Sequence, residues 1–575
     1  MSNEEPIAQR TQHAFLVAWG WFAEAVSLIQ KVQAVSLKQK TYVHSPQSKV
    51  VEFLVGTLAG LQHLQEVSLS AHPLDKDQAV AKAWGQSGWA DYSGVSRTLS
   101  ALSGSEVQAI VAVLEEVSRP YLQAELGRLR LSGQRLRLDG DLTGLPVSNT
   151  SRSYPNAAFG HMEDEIRLGY QAGVISLVSP TYGRLWLSVA HHPGDTVSST
   201  QAEALVLEAE RCLGQRPKRR TDLLHKRIKA LEPHFEQIQE RLERQQKAPQ
   251  LAQERLATVQ QQLEEQQSQV DTLERHYWDR QRKERPTSQL TKERQRFQML
   301  TRRLKRREKA RLSAEQRLLK THAQWEAEQV EAATLQERLQ RFEQENASNF
   351  EPVEAEFRLD AGFGSYQNIA LLAEMGYEVY TKSPSQPLTN LLKRQVSDPS
   401  AFTQVGANAE IAAWPQRSLT RCPYPVDVAL ERFTTGSKLK HSTLLHYGTD
   451  PVTQDLPAWF NHYNGRQTIE AGIKEGKQVF YLHKIKVRSE PAIYLQEACV
   501  IFAANFIRWA SHWLAEQAQP VKHALDVRKL GIKRQVQVAA HVSAQVIRNS
   551  EGRLLRFSSH TAFAGKILQL PGGHL

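Results

Sequence analysis

The chain contains very little cysteine. Its three cysteines lie far apart among 575 residues, at Cys212, Cys422 and Cys499. Because no CxxC pair is present, the sequence offers neither a typical zinc-ligand set nor a disulfide framework. This usage is typical of a reducing compartment such as the cytoplasm.

Long apolar runs are also missing. The longest, around 498–507, is interrupted by Asn505 and is too short to span a bilayer. The N-terminal residues 1–6 are polar and acidic, unlike a secretory signal peptide. We therefore expect neither a membrane span nor a leader.

Positive charge is in excess. The chain has 72 lysines and arginines against 61 acidic residues, a net charge of +11. Such a balance favours a polyanionic partner, most simply nucleic acid, although many basic proteins bind none. A chain of this length also predicts several domains.

The first 130 residues have the apolar spacing of helices. Within them, the stretch from Trp89 to Leu99 resembles two short helices across a tight turn. We expect Ser93 to cap the second helix, which carries Arg97. This arrangement is either a helix-turn-helix reader of DNA or part of an ordinary helical bundle.

Alternating and helical patterns follow each other in 131–217 and again in 351–383. Strands are predicted at 135–141, 174–178, 184–190 and 356–360. The helix after the fourth strand should end at Gly376, since glycine suits the position after a helix. These segments predict an α/β fold, and further strands are predicted at 426–433 and 442–447.

Residues 218–350 are rich in Gln, Glu, Arg and Lys, with apolar residues at alternating spacings of three and four. This spacing predicts a coiled coil, and Pro286 is suited to the tip of an antiparallel hairpin. The arms would reach up to about 90 Å at 1.5 Å per residue, with a break at Pro249. The basic run from Arg302 to Arg311 is either a phosphate-binding surface or a solvated helix face.

Five residues in the C-terminal third recur at spacings of three to four. On a helix these side chains form one stripe. They are Tyr463, Arg466, Glu470, Lys474 and Lys477. One carboxylate among cations and a tyrosine suits a site that holds a metal ion against a phosphodiester, because metals take oxygen ligands and phosphates take positive donors.

Two aspartates end predicted strands. Asp141 ends the first strand and Asp360 the fourth, and Asp139 is a rival to Asp141. If Glu470 joins them, each pair of carboxylates 4 Å apart repels by about 4 kcal/mol at an effective dielectric of about 20. Such a cluster needs a cation, and Mg²⁺ is suited to it because it takes oxygen ligands.

These residues resemble the acidic blocks of the DDE transposases of bacterial insertion sequences. The first two blocks of that family are similar to Asp141-Leu-Thr143 and to Asp360-Ala-Gly-Phe363. The third block, Tyr-x2-Arg-x3-Glu-x6-Lys, is matched by Tyr463, Arg466, Glu470 and Lys477.

The resemblance implies an active transposase that cleaves DNA strands at terminal inverted repeats and joins them to target DNA. It implies catalytic and metal-ligand roles for Asp141, Asp360 and Glu470, with two Mg²⁺ ions, or Mn²⁺ as an alternative. Trp414 is a candidate to hold a flipped base, as a tryptophan does in some members. The residues assigned to DNA contacts are Tyr463, Arg466, Lys474, Lys477, Arg97 and Trp414.

The implied fold is an α/β, ribonuclease-H-like catalytic core carrying two insertions. The predicted segments are a helical DNA-end-binding domain (1–130), the first part of the core (131–217), a coiled-coil hairpin insertion (218–350), the second part of the core (351–383), a β-rich insertion (384–455), the third part of the core with the catalytic glutamate helix (456–520) and a basic C-terminal region (521–575). The expected partners are double-stranded DNA, as inverted repeats and as target, and a second copy of the chain in the DNA complex. The expected location is the bacterial cytoplasm, at the nucleoid when DNA is bound.

Other functions are weighed against this one. The main alternative is a catalytically inactive, domesticated DNA-binding protein, but the three acids and the Tyr/Arg/Lys set are intact. A structural coiled-coil protein would not explain the α/β segments, and a host nuclease would not explain the third block. The hairpin itself either dimerises the protein or clamps flanking DNA.

Overall fold

The computed structural model describes residues 7–148, 154–162, 165–396, 398–449, 455–549 and 552–571. The chain is of mixed α/β class, as predicted. It divides into two compact units, Met1–Lys218 together with Asn349–Leu575, and Arg219–Ser348. Within the described ranges, no helix combines the length and apolar character needed to cross a membrane.

Helices and strands alternate along most of the chain. The helices are α1 (Ala14–Ala25), α2 (Leu28–Gln33), α3 (Pro46–Leu58), α4 (Glu66–Leu69), α5 (Gln78–Ala83), α6 (Tyr92–Ser100), α7 (Gly104–Leu131), α8 (Ala202–Leu213), α9 (Thr221–Gln246), α10 (Ala248–Asp279), α11 (Thr287–Ala347), α12 (Tyr366–Glu374), α13 (Gln386–Gln395), α14 (Leu456–Asn464), α15 (Gln467–Gln478), α16 (Glu490–Gln517) and α17 (Ile532–Gln537). The strands are β1 (Ile7–Thr11), β2 (Leu136–Pro146), β3 (Ala158–Met162), β4 (Glu165–Ser179), β5 (Gly183–Pro193), β6 (Ala355–Leu359), β7 (Glu378–Lys382), β8 (Thr403–Gly406), β9 (Ala409–Arg417), β10 (Val426–Thr435), β11 (Lys438–Tyr447), β12 (Ala544–Asn549), β13 (Gly552–Phe557) and β14 (Ile567–Pro571).

The larger sheet has the order β3-β4-β2-β6-β7-β11-β10-β9-β8, with β5 also paired to β4. Strands β2, β4 and β5 pair antiparallel, whereas β2, β6 and β7 are parallel neighbours. Strand β6 is buried along its whole length, as expected for a central parallel strand covered on both faces. The sheet is therefore mixed, and its parallel part lies at the centre.

The predicted β-rich segment 384–455 extends this same sheet. Strand β11 pairs antiparallel with β7, and β10, β9 and β8 follow outwards. The predicted strands at 426–433 and 442–447 correspond to β10 and β11. Sequence patterns could not show that β11 pairs with β7, because strand pairing depends on tertiary contacts.

Both ends of the described chain meet in a second sheet of order β1-β12-β13-β14. Residue Ile7 pairs with Arg548, and Thr11 pairs with Ala544. The sequence patterns predict no strand at either end. The N-terminal helices and the C-terminal strands thus belong to one compact unit.

Helix α6, the second helix of the predicted helix-turn-helix, begins two residues earlier than predicted. Asp91 is its N-cap, and its carboxylate accepts the backbone N–H of Gly94 at 2.7 Å. The expectation that Ser93 caps this helix is wrong, because Asp91 occupies the N-cap position and its carboxylate accepts a free N–H of the first turn. Arg97 is exposed on α6.

The unit Arg219–Ser348 consists of α9, α10 and the 61-residue helix α11. Pro249 lies in the first turn of α10, and Pro286 directly precedes α11, so both prolines mark helix boundaries as predicted. Bonds from Gln266 to Glu293 and from Thr321 to Gln245, each 2.9 Å, show that α11 returns antiparallel to the two preceding helices.

Gly376 supports the turn between α12 and β7. Its φ is +92°, and a Cβ there would lie 2.2 Å from the carbonyl oxygen of Lys218. We predict that Gly376→Ala lowers the free energy of unfolding by at least about 1–2 kcal/mol, because of the strained backbone and the clash. Chemical denaturation measures this change. In the control Gly104→Ala a Cβ would meet nothing within 4 Å, so equal losses in both variants would contradict the prediction.

Candidate active site

A buried ion pair joins the two central strands. Asp139 of β2 and Arg358 of β6 are register partners. Arg358 donates from Nε and Nη2 to the two carboxylate oxygens of Asp139, at 2.7 and 2.8 Å. Both side chains are almost completely buried, with 3% and 0% exposed. Asp139 is therefore satisfied by Arg358, which leaves Asp141 as the accessible acid of the pair.

The third nitrogen of Arg358 fixes the helix that carries the third block. Its Nη1 donates to the carbonyl oxygen of His462 at 2.7 Å, near the end of α14. At Gly465 a Cβ would lie 2.5 Å from this Nη1. A side chain at 465 would thus displace the guanidinium.

The third block does not form one helix. Helix α14 ends at Asn464 and α15 begins at Gln467. The single helix expected over 456–477 is therefore interrupted at Gly465 and Arg466, although both residues keep helical backbone angles. Tyr463 belongs to α14, and Glu470 lies in the first turn of α15.

Asp141 and Asp360 lie on neighbouring strands. The parallel pairing of β2 with β6 runs from Leu136 to Gly140, and Asp141 is the next residue. Asp360 follows the last residue of β6, and its Oδ1 accepts the N–H of Gly362 at 2.9 Å. Asp141 was predicted to end its strand, but β2 continues to Pro146 because it stays paired with β4.

Arg466 connects the acids of the sheet to the helix. Its Nη1 lies 3.5 Å from Oδ2 of Asp141, and its Nη2 donates to Oε1 of Glu470 at 3.0 Å. The side chain of Arg466 is 13% exposed, that of Asp141 15% and that of Glu470 46%. A buried cation thus bridges two of the three predicted catalytic acids.

The surroundings of Asp141 oppose its negative charge. Burial, and then the charge of Asp360, raise the pKa of Asp141 to about 7, although Arg466 acts in the opposite direction. A raised pKa beside other charged groups is typical of sites where a cation or a proton is taken up.

The three acids do not form a compact ligand group in this conformation. Among the described residues, one set of three His, Cys, Asp or Glu side chains brings its ligand atoms within 4.8 Å of one another, namely Glu115, Glu208 and Cys212. Arg211 neutralises that set through contacts of 2.5 and 2.7 Å to the two glutamates. At the three predicted acids, the guanidinium of Arg466 lies between Asp141 and Glu470.

Tyr463 lies in a hydrophobic cluster with Tyr380, Trp459 and Phe460, and 4% of its surface is exposed. Its hydroxyl donates to the carbonyl oxygen of Leu359 at 3.4 Å. Its contact with DNA stays a prediction, and this burial does not support it.

The remaining residues assigned to DNA lie on several elements. Lys474 is exposed on α15, and Lys477, one turn later, is half-buried. Trp414 is half-buried on β9, where the guanidinium of Arg417 lies 5.8 Å from its ring centroid. Of the assigned set, Arg466 contacts the acids directly.

Arg358 is the residue that sequence reasoning missed. Its signal was present, because an arginine at a buried position of a strand must find an acid. The first predicted strand supplies Asp139, which had been considered only as a catalytic alternative. Pairing the two required the register of β2 with β6.

In comparisons with known proteins, no protein-family model and no curated protein matches this chain.

Removing Arg358 should cost more stability than removing an exposed partner. We predict that Arg358→Met lowers the free energy of unfolding by about 3–5 kcal/mol, because Asp139 would stay buried without a counter-charge. Urea denaturation followed by circular dichroism measures the change. The control Arg244→Met breaks an exposed pair with Glu240 and should cost about 1 kcal/mol or less. Similar losses would refute a special role for Arg358.

The raised pKa of Asp141 predicts a pH-dependent stability for the metal-free protein. A folded pKa of about 7, above the unfolded value, gives stability that is complete at low pH and lost as pH rises towards 7. Asp141→Asn removes this loss. The free energy of unfolding of the variant should therefore rise relative to that of the wild type by about 2–3 kcal/mol between pH 5 and 8. Denaturation in EDTA across this range tests it, with the exposed Asp195→Asn as control. If the difference in unfolding free energy between variant and wild type stayed constant across this pH range, the raised pKa would not belong to Asp141.

Proposed function

We propose that the protein is a DDE transposase, which cleaves DNA strands at the ends of a mobile element and transfers them to target DNA. One observation carries the proposal. Asp141 lies on β2, and Asp360 is the residue directly after β6, the parallel neighbour of β2. Arg466 contacts both Asp141 and Glu470. The three acids that match the family's blocks thus lie near one another, where the pairing of β2 with β6 ends, although they are far apart in the sequence.

The strand order supports a ribonuclease-H-like core. In the series β5-β4-β2-β6-β7, the first three strands are antiparallel and the last two continue parallel to β2. Helices α8 and α12 follow β5 and β6 in sequence. In this interpretation, α9–α11 are a coiled-coil insertion between the third and fourth core strands, and β8–β11 are the β-rich insertion.

The donor set fits a hard divalent cation. Asp141, Asp360 and Glu470 offer carboxylate oxygens, which Mg²⁺ and Mn²⁺ prefer. Burial, and after it the charge of Asp360, raise the pKa of Asp141, and a cation bound there would favour the carboxylate. Bound there, two such ions would activate the attacking oxygen and stabilise the leaving oxygen of the phosphodiester.

Arg466 has a natural role in this scheme. Without metal it compensates the charge of Asp141 and Glu470. With metal bound, its guanidinium is free to donate to a DNA phosphate, for which its planar fork is well suited. The same side chain would then compensate the acids without metal and bind DNA with metal. Lys474 adds an exposed cation on α15.

The proposed partners are double-stranded DNA and a second copy of the chain. The N-terminal helices, with Arg97 exposed on α6, are the candidates for reading the element's end. A DNA-binding protein without chemistry is the second candidate, and it is favoured by the position of Arg466 between the acids.

Glu470→Gln separates these two candidates. We predict that it abolishes Mg²⁺-dependent nicking of a duplex carrying the element's end, because a neutral amide is a poor ligand for Mg²⁺. Binding of the same duplex in EDTA should stay within about twofold of the wild type, since Glu470 offers no positive charge to phosphate.

The control is Glu516→Gln, which changes an exposed glutamate at the end of α16 and should nick like the wild type. Nicking that survives in Glu470→Gln would remove Glu470 from the site. Binding without nicking in the wild type would favour the DNA-binding candidate.

A further inference from the structure

Positive charge is concentrated in one part of the second unit. Between Arg275 and Arg311 there are 15 lysines and arginines and four acidic residues, a net charge of +11. This equals the net charge of the whole chain, so all other residues together are neutral. We call residues 275–311 the basic tip, because they contain the end of α10, the turn and the start of α11.

Most of this charge is not used within the protein. Arg294, Arg296 and Arg311 form ion pairs with nearby glutamates. A further set of cations on α11 is exposed and has no ion pair with any residue in the described ranges. These are Arg302, Arg303, Lys305, Arg306 and Lys309.

The arrangement of these cations is unfavourable for an isolated helix. Arg302 and Arg306, and likewise Lys305 and Lys309, are like charges four residues apart, which destabilises a helix. Later in α11, glutamates accompany the basic residues, as in the pairs Arg311–Glu315 and His322–Glu326. A helix that needed only solubility would continue that mixture, so the run indicates a polyanionic ligand.

Aromatic side chains stand at the end of the basic tip. Trp278, the penultimate residue of α10, is 69% exposed. The guanidinium of Arg285 lies 5.3 Å from the Trp278 ring centroid and 4.9 Å from that of Tyr277. An exposed aromatic ring beside arginine is suited to stacking on bases or sugars, and cations beside it bind the phosphates.

A lipid surface fits this region less well than nucleic acid. A membrane-binding helix needs a free apolar face opposite its cations. Within the tip, Leu290 is 5% exposed and Phe297 and Leu304 are half-buried by packing within the unit, and the exposed side chain of Met299 does not by itself make such a face. The stretch from Arg296 to Arg311 is about 22 Å long at 1.5 Å per residue, roughly the length of six base pairs.

We propose that the basic tip is a second, sequence-independent binding surface for duplex DNA, with Arg302, Arg303, Lys305 and Arg306 on phosphates and the ring of Trp278 packed against a backbone sugar at its end. The choice of duplex DNA rests on the proposed function, whereas the surface itself does not involve the three acids. It would hold DNA outside the sequence that the N-terminal helices read.

The test compares two fourfold variants of the full-length protein. The tip variant carries Arg302→Gln, Arg303→Gln, Lys305→Gln and Arg306→Gln. The control removes the same charge from exposed positions elsewhere in the unit, through Arg241→Gln, Lys247→Gln, Arg317→Gln and Lys320→Gln. Binding of a labelled duplex of arbitrary sequence is measured in EDTA over a range of salt concentrations, after circular dichroism has verified folding.

We expect the tip variant to bind at least about tenfold more weakly than the control, and its plot of log K against log salt to be less steep by about 3–4, at 0.9 per phosphate contact. Trp278→Ala should weaken binding several-fold without changing the slope, because stacking neutralises no phosphate. Equal affinities and slopes for the tip and control variants would overturn the proposal.

Competition and cleavage distinguish the remaining outcomes. If duplex RNA or anionic vesicles displace the DNA more effectively than unlabelled duplex at equal phosphate concentration, the assignment to DNA is wrong. Because EDTA prevents any metal-dependent cleavage, this result does not depend on catalysis. A wild type that never nicks DNA but loses binding in the tip variant would refute the proposed function and leave this inference standing.

Discussion

The bidentate contact between Arg358 and Asp139 is the interaction on which the arrangement of the site depends. It joins β2 to β6 inside the sheet, and the remaining nitrogen of Arg358 holds the end of α14. A charge that is buried so completely is tolerable only when all its donors are satisfied. The three bonds therefore fix the helices of the third block relative to the strands that carry Asp141 and Asp360, and Gly465 leaves the space for this contact.

The acids beside this ion pair are held close to one another, and their repulsion is only partly compensated. Asp141 is pushed towards its neutral form by burial and by Asp360, and Arg466 compensates part of the repulsion. Such a site has two ways to lower its energy, by keeping Arg466 or by taking up a cation. The proposed chemistry uses the second, and the same guanidinium would then serve the DNA.

The structure also separates two kinds of positive charge. Arg358 and Arg466 are buried, each opposite defined acids, and they act through geometry. Five cations of the basic tip, Arg302, Arg303, Lys305, Arg306 and Lys309, are exposed and have no such partners in the described ranges. Charge of the first kind organises the site, and charge of the second kind is suited to a long polyanion. The total of +11 does not distinguish them, because composition contains no positions.

The sequence by itself determined the local elements: the helical character of the predicted segment 1–130 after β1, the strand preceding Asp360, the glycine after α12 and the prolines that bound α10 and α11. Each depends on residues close together in the chain, through periodicity, capping or fixed backbone angles. Only the tertiary structure decided the pairing of β1 with β12, the joining of β11 to β7, the break at Gly465 and the partner of Asp139. Those features depend on contacts between distant residues, and a local pattern cannot specify which buried acid an arginine will meet.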